Sequence, residues 1–182
     1  TDALAQAQLA QELDPISVYV SSALAKVFYI SRQYDRALEG YRQTLELDPD
    51  STRAKRGLGR VLLQQGRYDE AIAALRQALA RESHSYFISD LGHAYAVAGR
   101  SGEARRMLAQ LQDLARRSYV SPVYIAKVHA GLGENTQALA LLNRAFQERS
   151  DQLTGLRVEP AFERLSADPR FVDLLRRVGL TP

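Results

Sequence analysis

Gln65-Gly-Arg-Tyr-Asp-Glu-Ala71 is the stretch on which the fold turns, because three other segments line up with it. They are Ser31-Arg-Gln-Tyr-Asp-Arg-Ala37, Ala98-Gly-Arg-Ser-Gly-Glu-Ala104 and Leu132-Gly-Glu-Asn-Thr-Gln-Ala138. The closing alanines Ala37, Ala71, Ala104 and Ala138 stand 34, 33 and 34 residues apart. Asp14-Pro15 and Asp48-Pro49 repeat the 34-residue interval. A fixed period of this size is the mark of a stacked-repeat architecture. A helical bundle with accidental spacing would not also match in residue identity.

Each unit reads as two helices. The first places apolar residues at helical spacing, as in Leu24, Val27 and Phe28 or Leu58, Val61 and Leu62. Gly66, Gly99 and Gly133 follow, where a left-handed residue ends a helix at little steric cost. The second helix carries a small residue and then a bulkier one a turn later: Ala37/Tyr41, Ala71/Leu75, Ala104/Leu108 and Ala138/Leu142. Such pairs let two backbones approach and fill the adjoining gap. Pro49 stops the helix before it.

Period and residues together resemble the tetratricopeptide repeat. Leu58-Gly59, Leu62, Gly66, Tyr68, Ala71, Leu75 and Ala78 make the best unit, and Leu91-Gly92, Tyr95, Gly99, Ala104 and Leu108 the next. The first unit departs, with Arg32 at the turn and Thr44 late in its second helix, and the fourth has His129 in place of a larger aromatic. The resemblance implies an all-α, right-handed α-α superhelix. Residues 1–15 are expected to form the second helix of a truncated repeat, with Ala3, Ala7, Ala10 and Pro15 in register. Residues 16–149 are expected to form four helix pairs, and residues 150–182 a pair of C-terminal capping helices. In the tail Asp168 is the expected N-cap and Pro169 the first helical residue, ahead of a Phe171, Leu174, Leu175 and Val178 stripe ended by Gly179. Capping is the expected role, since a terminal repeat otherwise exposes an apolar face; docking of a partner on this helix is the alternative.

The stretch from Ser118 to Leu180 is also similar to the C-terminal repeat regions of multidomain bacterial regulators. Tyr119-Val-Ser-Pro122, Gly131-Leu-Gly133, Val158-Glu-Pro160, Phe162 and Asp168-Pro-Arg-Phe171 carry that likeness; Gln152-Leu-Thr-Gly-Leu156 departs from it. In those proteins the effector is a winged-helix, kinase or cyclase domain. The likeness implies a signalling or transcriptional context. The opening Thr1-Asp2-Ala3-Leu4 has no initiator Met and begins within a helix, so the segment is expected to come from a longer, cytoplasmic chain.

Composition fits this reading: 182 residues, 46% hydrophobic and 25% charged, in one well-folded class. No cysteine is present, which excludes disulfides and thiolate metal sites. No apolar run approaches the roughly 20 residues needed to cross a bilayer.

In repeat arrays the first helices line the inner wall. The outward positions there are expected at Tyr19, Ser22 and Lys26, with Tyr29 a turn on; then Arg53, Arg56 and Arg60; then Tyr86, Ser89 and His93; then Val120, Val123 and Lys127. Lys26, Arg60, His93 and Lys127 are thereby equivalent in four repeats, and no acidic residue falls among these positions. The expected site is a concave groove of Tyr19, Lys26, Tyr29, Arg53, Arg56, Arg60, Tyr86, His93 and Lys127. Its expected ligand is an acidic protein segment or a free carboxylate, held by charge-assisted hydrogen bonds. The carboxylate clamp of chaperone-binding repeat domains is not reproduced, because Ala23 and Lys26 stand where its asparagines belong.

No catalysis, cofactor or metal is expected. His84, His93 and His129 lack metal-ligand spacing, and the glycines recur with the repeat rather than in a phosphate loop. Asp69-Glu70 suits a helix start. Two rival readings remain: self-association, and phosphate contacts by Arg105-Arg106, Arg116-Arg117 and Arg176-Arg177. The arginine pairs lie on separate helices, so nucleic acid is the less favoured partner, and no small-molecule substrate or membrane contact is expected.

Overall fold

A computed structural model describes residues 2–14 and 16–180. Pro15 and the side chain of Ala3 lie outside the described residues. Among the described residues the chain is all-helical, and it divides into two compact units, 1–83 and 84–182.

The first unit holds α1 (Asp2–Leu13), α2 (Val18–Ile30), α3 (Tyr34–Leu47), α4 (Thr52–Gln64) and α5 (Tyr68–Arg81). Each helix packs on the one before it, and α2 also meets α4. The second unit holds α6 (Ser85–Val97), α7 (Ser101–Ala115), α8 (Pro122–Gly131) and α9 (Asn135–Gln147). Two 3-10 helices, Asp151–Val158 and Pro160–Leu165, then lead to α10 (Pro169–Val178). Here α6 packs on both α7 and α8, and α8 on α9.

The helix pairs share one method of reversal. The residue after each first helix's C-cap takes a left-handed φ: Gly66 at 73°, Gly99 at 76° and Gly133 at 77°. Its N–H and that of the next residue bond back to carbonyls in the last turn, as Gly66 does to Leu63 at 3.2 Å and Arg67 to Leu62 at 2.9 Å. Arg32 keeps the same geometry at φ 62° without being glycine. Arg149, at φ 55°, makes the same turn after α9. Serines open several first helices: Ser17, Ser51 and Ser121 accept from Val20, Ala54 and Val123 N–H.

Ala37, Ala71, Ala104 and Ala138 are fully buried at the helix crossings, as their size allows. Thr44 is equally buried, and its hydroxyl donates to the Gly40 carbonyl at 2.7 Å, so its polar atom is satisfied within the helix. The tail closes the second unit. Phe162, Leu165, Phe171 and Leu174 join Val123, Ala126, Ala138, Leu142 and Ala145 in one core. Asp168 caps α10 by accepting from Arg170 N–H at 2.9 Å, and Gly179 ends it at φ 80°.

Candidate functional site

In the first unit, Arg53, Arg56 and Arg60 stand at i, i+3 and i+7 of α4, which puts them on one face. Across from them, α2 supplies two tyrosines. The Arg53 guanidinium sits 5.4 Å from the Tyr19 ring centroid, and that of Arg60 lies 4.6 Å from the Tyr29 ring. Both are within cation–π range, which fixes long side chains that otherwise wander. Tyr19 is exposed at 68%, whereas Tyr29 is buried at 4% and serves as a platform rather than a contact. Lys26 is exposed on α2.

Tyr41 of α3 completes this face from below. Its ring lies so close to α4 that a Cβ on Gly57 would fall 2.2 Å from Cζ. Burial pushes the phenol pKa up, against the opposing fields of Arg60, Arg56 and Arg53. The phenol therefore stays neutral and cancels none of the arginine charge. Asp50, at the approach to α4, pairs with Arg81 at 2.6 Å and with Lys55 at 3.7 Å.

The second unit holds the other expected residues in a different state. Tyr86 stacks on His84 at 5.4 Å between centroids and tilts against Tyr124 at 6.5 Å. His93 and Lys127 are buried, at 6% each, which corrects the expectation that they line an open groove. Ser22, Ser89, Val120 and Val123 are buried as well. The reason for Lys127 is charge. Its ammonium donates to the Asp90 carboxylate at 2.6 Å and pairs with Glu159 of the tail at 3.1 Å. A buried cation requires such partners, because desolvation without them costs several kcal/mol. His93 Nδ1 lies 3.1 Å from the Lys127 carbonyl oxygen, which only accepts, so Nδ1 carries the proton. Burial, then the Lys127 charge, lowers the His93 pKa to about 4, leaving the ring neutral near pH 7. The nine expected positions thus divide by unit. The first unit holds an arginine–tyrosine face with Lys26; in the second, His93 and Lys127 belong to a buried polar network, and Tyr86 to an aromatic cluster.

Three participants are not apparent from the sequence alone. Tyr41 occupies the place held by Leu75, Leu108 and Leu142 in other repeats, and a hydroxyl there is the visible sign of polar surroundings. Asp90 sits in a mostly apolar stretch, Phe87-Ile-Ser-Asp-Leu91, yet its partner lies 37 residues away. Glu159 belongs to the tail and follows no period.

The arginine pairs have local neighbours. Arg105 pairs with Glu134 at 2.7 Å, Arg116 with Asp113 at 3.0 Å, and Arg177 covers the Phe146 ring at 4.3 Å. His129 Nδ1 donates to Glu134 at 2.6 Å, so this histidine is satisfied. Among the described residues no group of three or more His, Cys, Asp or Glu side chains is placed to hold a metal, and no helix is long and apolar enough to cross a membrane.

Two family models, both described as tetratricopeptide repeat, match residues 22–85 and 62–123, jointly more than half of the chain. The chain belongs to the tetratricopeptide-repeat family. Its fold is also that of solved tetratricopeptide-repeat structures. TTC0263 of Thermus thermophilus superposes with a TM-score of 0.66 at 19% identity, over 87% of this chain and 88% of that one. YrrB, described as a TPR protein with an unusual peptide-binding site, gives 0.55 at 18% over 97% and 92%. The pilF protein of Pseudomonas aeruginosa gives 0.58 at 26% over 96% and 82%. No curated protein matches the sequence significantly. Tetratricopeptide-repeat domains generally act as protein-interaction scaffolds, and this chain shares their helix pairs, turn glycines and crossing alanines.

Proposed function

We propose that this tetratricopeptide-repeat domain binds an acidic segment, or a free carboxylate, of another protein on the α2–α4 face of its first unit. The observation that carries the reading is the single face of α4 that bears Arg53, Arg56 and Arg60, with Arg53 and Arg60 laid over the rings of Tyr19 and Tyr29. Three guanidiniums within a turn or two of one helix repel one another, and an anion bridging them relieves that repulsion. Tyr19 and Tyr29 hold Arg53 and Arg60 in place beforehand, which lowers the entropy lost on binding. The contact set is Arg53, Arg56, Arg60, Lys26 and Tyr19, with Tyr29 and Tyr41 as supports. His93 and Lys127 are engaged inside the second unit and do not belong to it.

No covalent chemistry is needed; the domain is a scaffold. Its setting is a cytoplasmic signalling or transcriptional regulator of bacteria, on the likeness of residues 118–180 to the repeat regions of such chains.

The test is titration of acidic and charge-neutral peptides of equal length into wild-type protein and an Arg56→Ala/Arg60→Ala variant. Losing two charge-assisted contacts weakens the acidic peptide by about tenfold or more, while the neutral peptide is unaffected. Equal affinity of the variant for the acidic peptide, with its helical circular dichroism intact, overturns the assignment.

A further inference from the structure

The buried network in the second unit has an asymmetry. Asp90 belongs to α6 and pairs with Lys127 as a neighbour within the repeat array. Glu159 does not; it arrives from the tail, beyond the last helix pair. It lies between the two 3-10 helices in an extended conformation, with φ −81° and ψ 109°. Directly after it, Pro160 and Ala161 are buried, and Phe162 is buried to 1% against the α8–α9 core. The tail thus lays an extended carboxylate, a proline and an aromatic anchor against α8, in the manner of a docked peptide. The cation it engages, Lys127, stands 34 residues after His93 and 67 after Arg60. Those are one and two repeat lengths, so by register Lys127 is the counterpart of Arg60, and through it of Lys26.

We infer that Val158–Phe162 is a built-in ligand: the Glu159 carboxylate occupies on Lys127 the place that a partner's carboxylate takes on the counterpart cations of the first unit. This rests on the acidic-segment reading above and adds two things to it. The partner segment has the chemistry of the tail, a carboxylate in extended backbone followed by proline and then, two residues on, an aromatic side chain. And the second unit is closed to such a partner as long as its own tail is seated. With Glu159 in place, Lys127 faces two carboxylates, so an incoming acidic group meets like charge. Once Glu159 is withdrawn or neutralised, the Asp90–Lys127 pair remains and a second anion fits again.

The experiment uses the full chain and a synthetic peptide copying residues 157–166, blocked at both ends, with a second peptide carrying Gln at the position of Glu159. The expected results are these. Wild-type protein takes one equivalent of the Glu peptide, and the Gln peptide binds about tenfold or more weakly, as loss of a charge pair dictates. Arg56→Ala/Arg60→Ala removes that binding. Adding Glu159→Gln to this double variant restores one equivalent of the Glu peptide, now in the second unit. Hydrogen exchange of residues 158–166 speeds up in the triple variant before peptide is added and speeds up further once the peptide takes the tail's place. Glu159→Gln keeps the side chain's size and leaves Asp90 paired, so the fold is retained; Lys127→Met is avoided because it strands a buried carboxylate. Three results overturn the inference: equal binding of the Glu and Gln peptides, no restored equivalent in the triple variant, or tail exchange that added peptide does not speed up further, which marks a structural clamp alone. Failure of the Arg56→Ala/Arg60→Ala step, with tail exchange behaving as expected, instead overturns only the first-unit assignment.

Discussion

Arg32 shows how a single backbone angle constrains a residue. Gly66, Gly99 and Gly133 fill the left-handed region at their turns, where a Cβ is costly, but Arg32 and Arg149 bear that cost with φ of 62° and 55°. Arg32→Gly is expected to raise stability by about 1 kcal/mol, and Gly66→Ala to lower it by about as much, read from urea midpoints. The first change also removes a hydrogen bond from Arg32 to the Tyr34 hydroxyl, which is exposed and contributes little. Gly57 is governed by space instead of angle. Its hydrogen faces the Tyr41 ring, so Gly57→Ala is expected to destabilise by about 2 kcal/mol through overpacking. Gly102, with nothing near its Cβ direction, is the control: Gly102→Ala on α7 is expected to stabilise by about 0.5 kcal/mol.

At the scale of elements, α6 and α8 are joined by polar groups that need one another. His93 is neutral in the folded protein because burial and the Lys127 charge disfavour its protonated form, while Glu159 and Asp90 oppose that effect without overcoming it. The unfolded chain protonates near the ordinary histidine pKa, so between about pH 6.5 and about 4 it binds the proton that the folded form refuses. Stability is thus intact above this window and falls as pH is lowered through it, by about 2 kcal/mol at pH 5. Exchange of α6 amides against pH measures this, and His93→Gln, which keeps a donor for the Lys127 carbonyl, is expected to flatten the dependence. Much of the element scale is legible in the sequence. Turn glycines, crossing alanines and the Asp168 cap act within a few residues of themselves, so the sequence displays them. The burial of His93 and Lys127 is not legible, because it is set by Asp90, 37 residues before Lys127, and by Glu159 in the aperiodic tail. Repeat register predicts where those side chains start from but not what covers them. Tyr41 is obscure for a different reason: its place in the pattern demands packing, and it does pack, while its hydroxyl lies in the field of the neighbouring arginines.

For the molecule as a whole, the net charge of +3 says little, since basic and acidic residues are nearly balanced. The arrangement within each unit matters more. The first concentrates arginine on one helix face, whereas the second encloses its lysine between two carboxylates. Binding of an acidic peptide is therefore expected to weaken steeply as salt is raised from about 50 to about 500 mM, since screening shortens the reach of exposed charges. A neutral peptide is expected to show no such loss, and calorimetry at several salt concentrations measures both. A salt-independent acidic peptide would place its binding outside the arginine face. The division at residues 83 and 84 falls inside the run of helix pairs, where the 33- and 34-residue rhythm gives no sign of a boundary.

The tyrosines beneath the guanidiniums have a practical consequence. The chain has nine tyrosines and no tryptophan, so its intrinsic emission comes from tyrosine alone. Tyr19, Tyr29 and Tyr41 are three of those nine, and two of them lie under arginine side chains whose charge a docking anion would neutralise. The unlabelled protein therefore carries its own optical reporter of occupancy, and an Arg56→Ala/Arg60→Ala variant silences it.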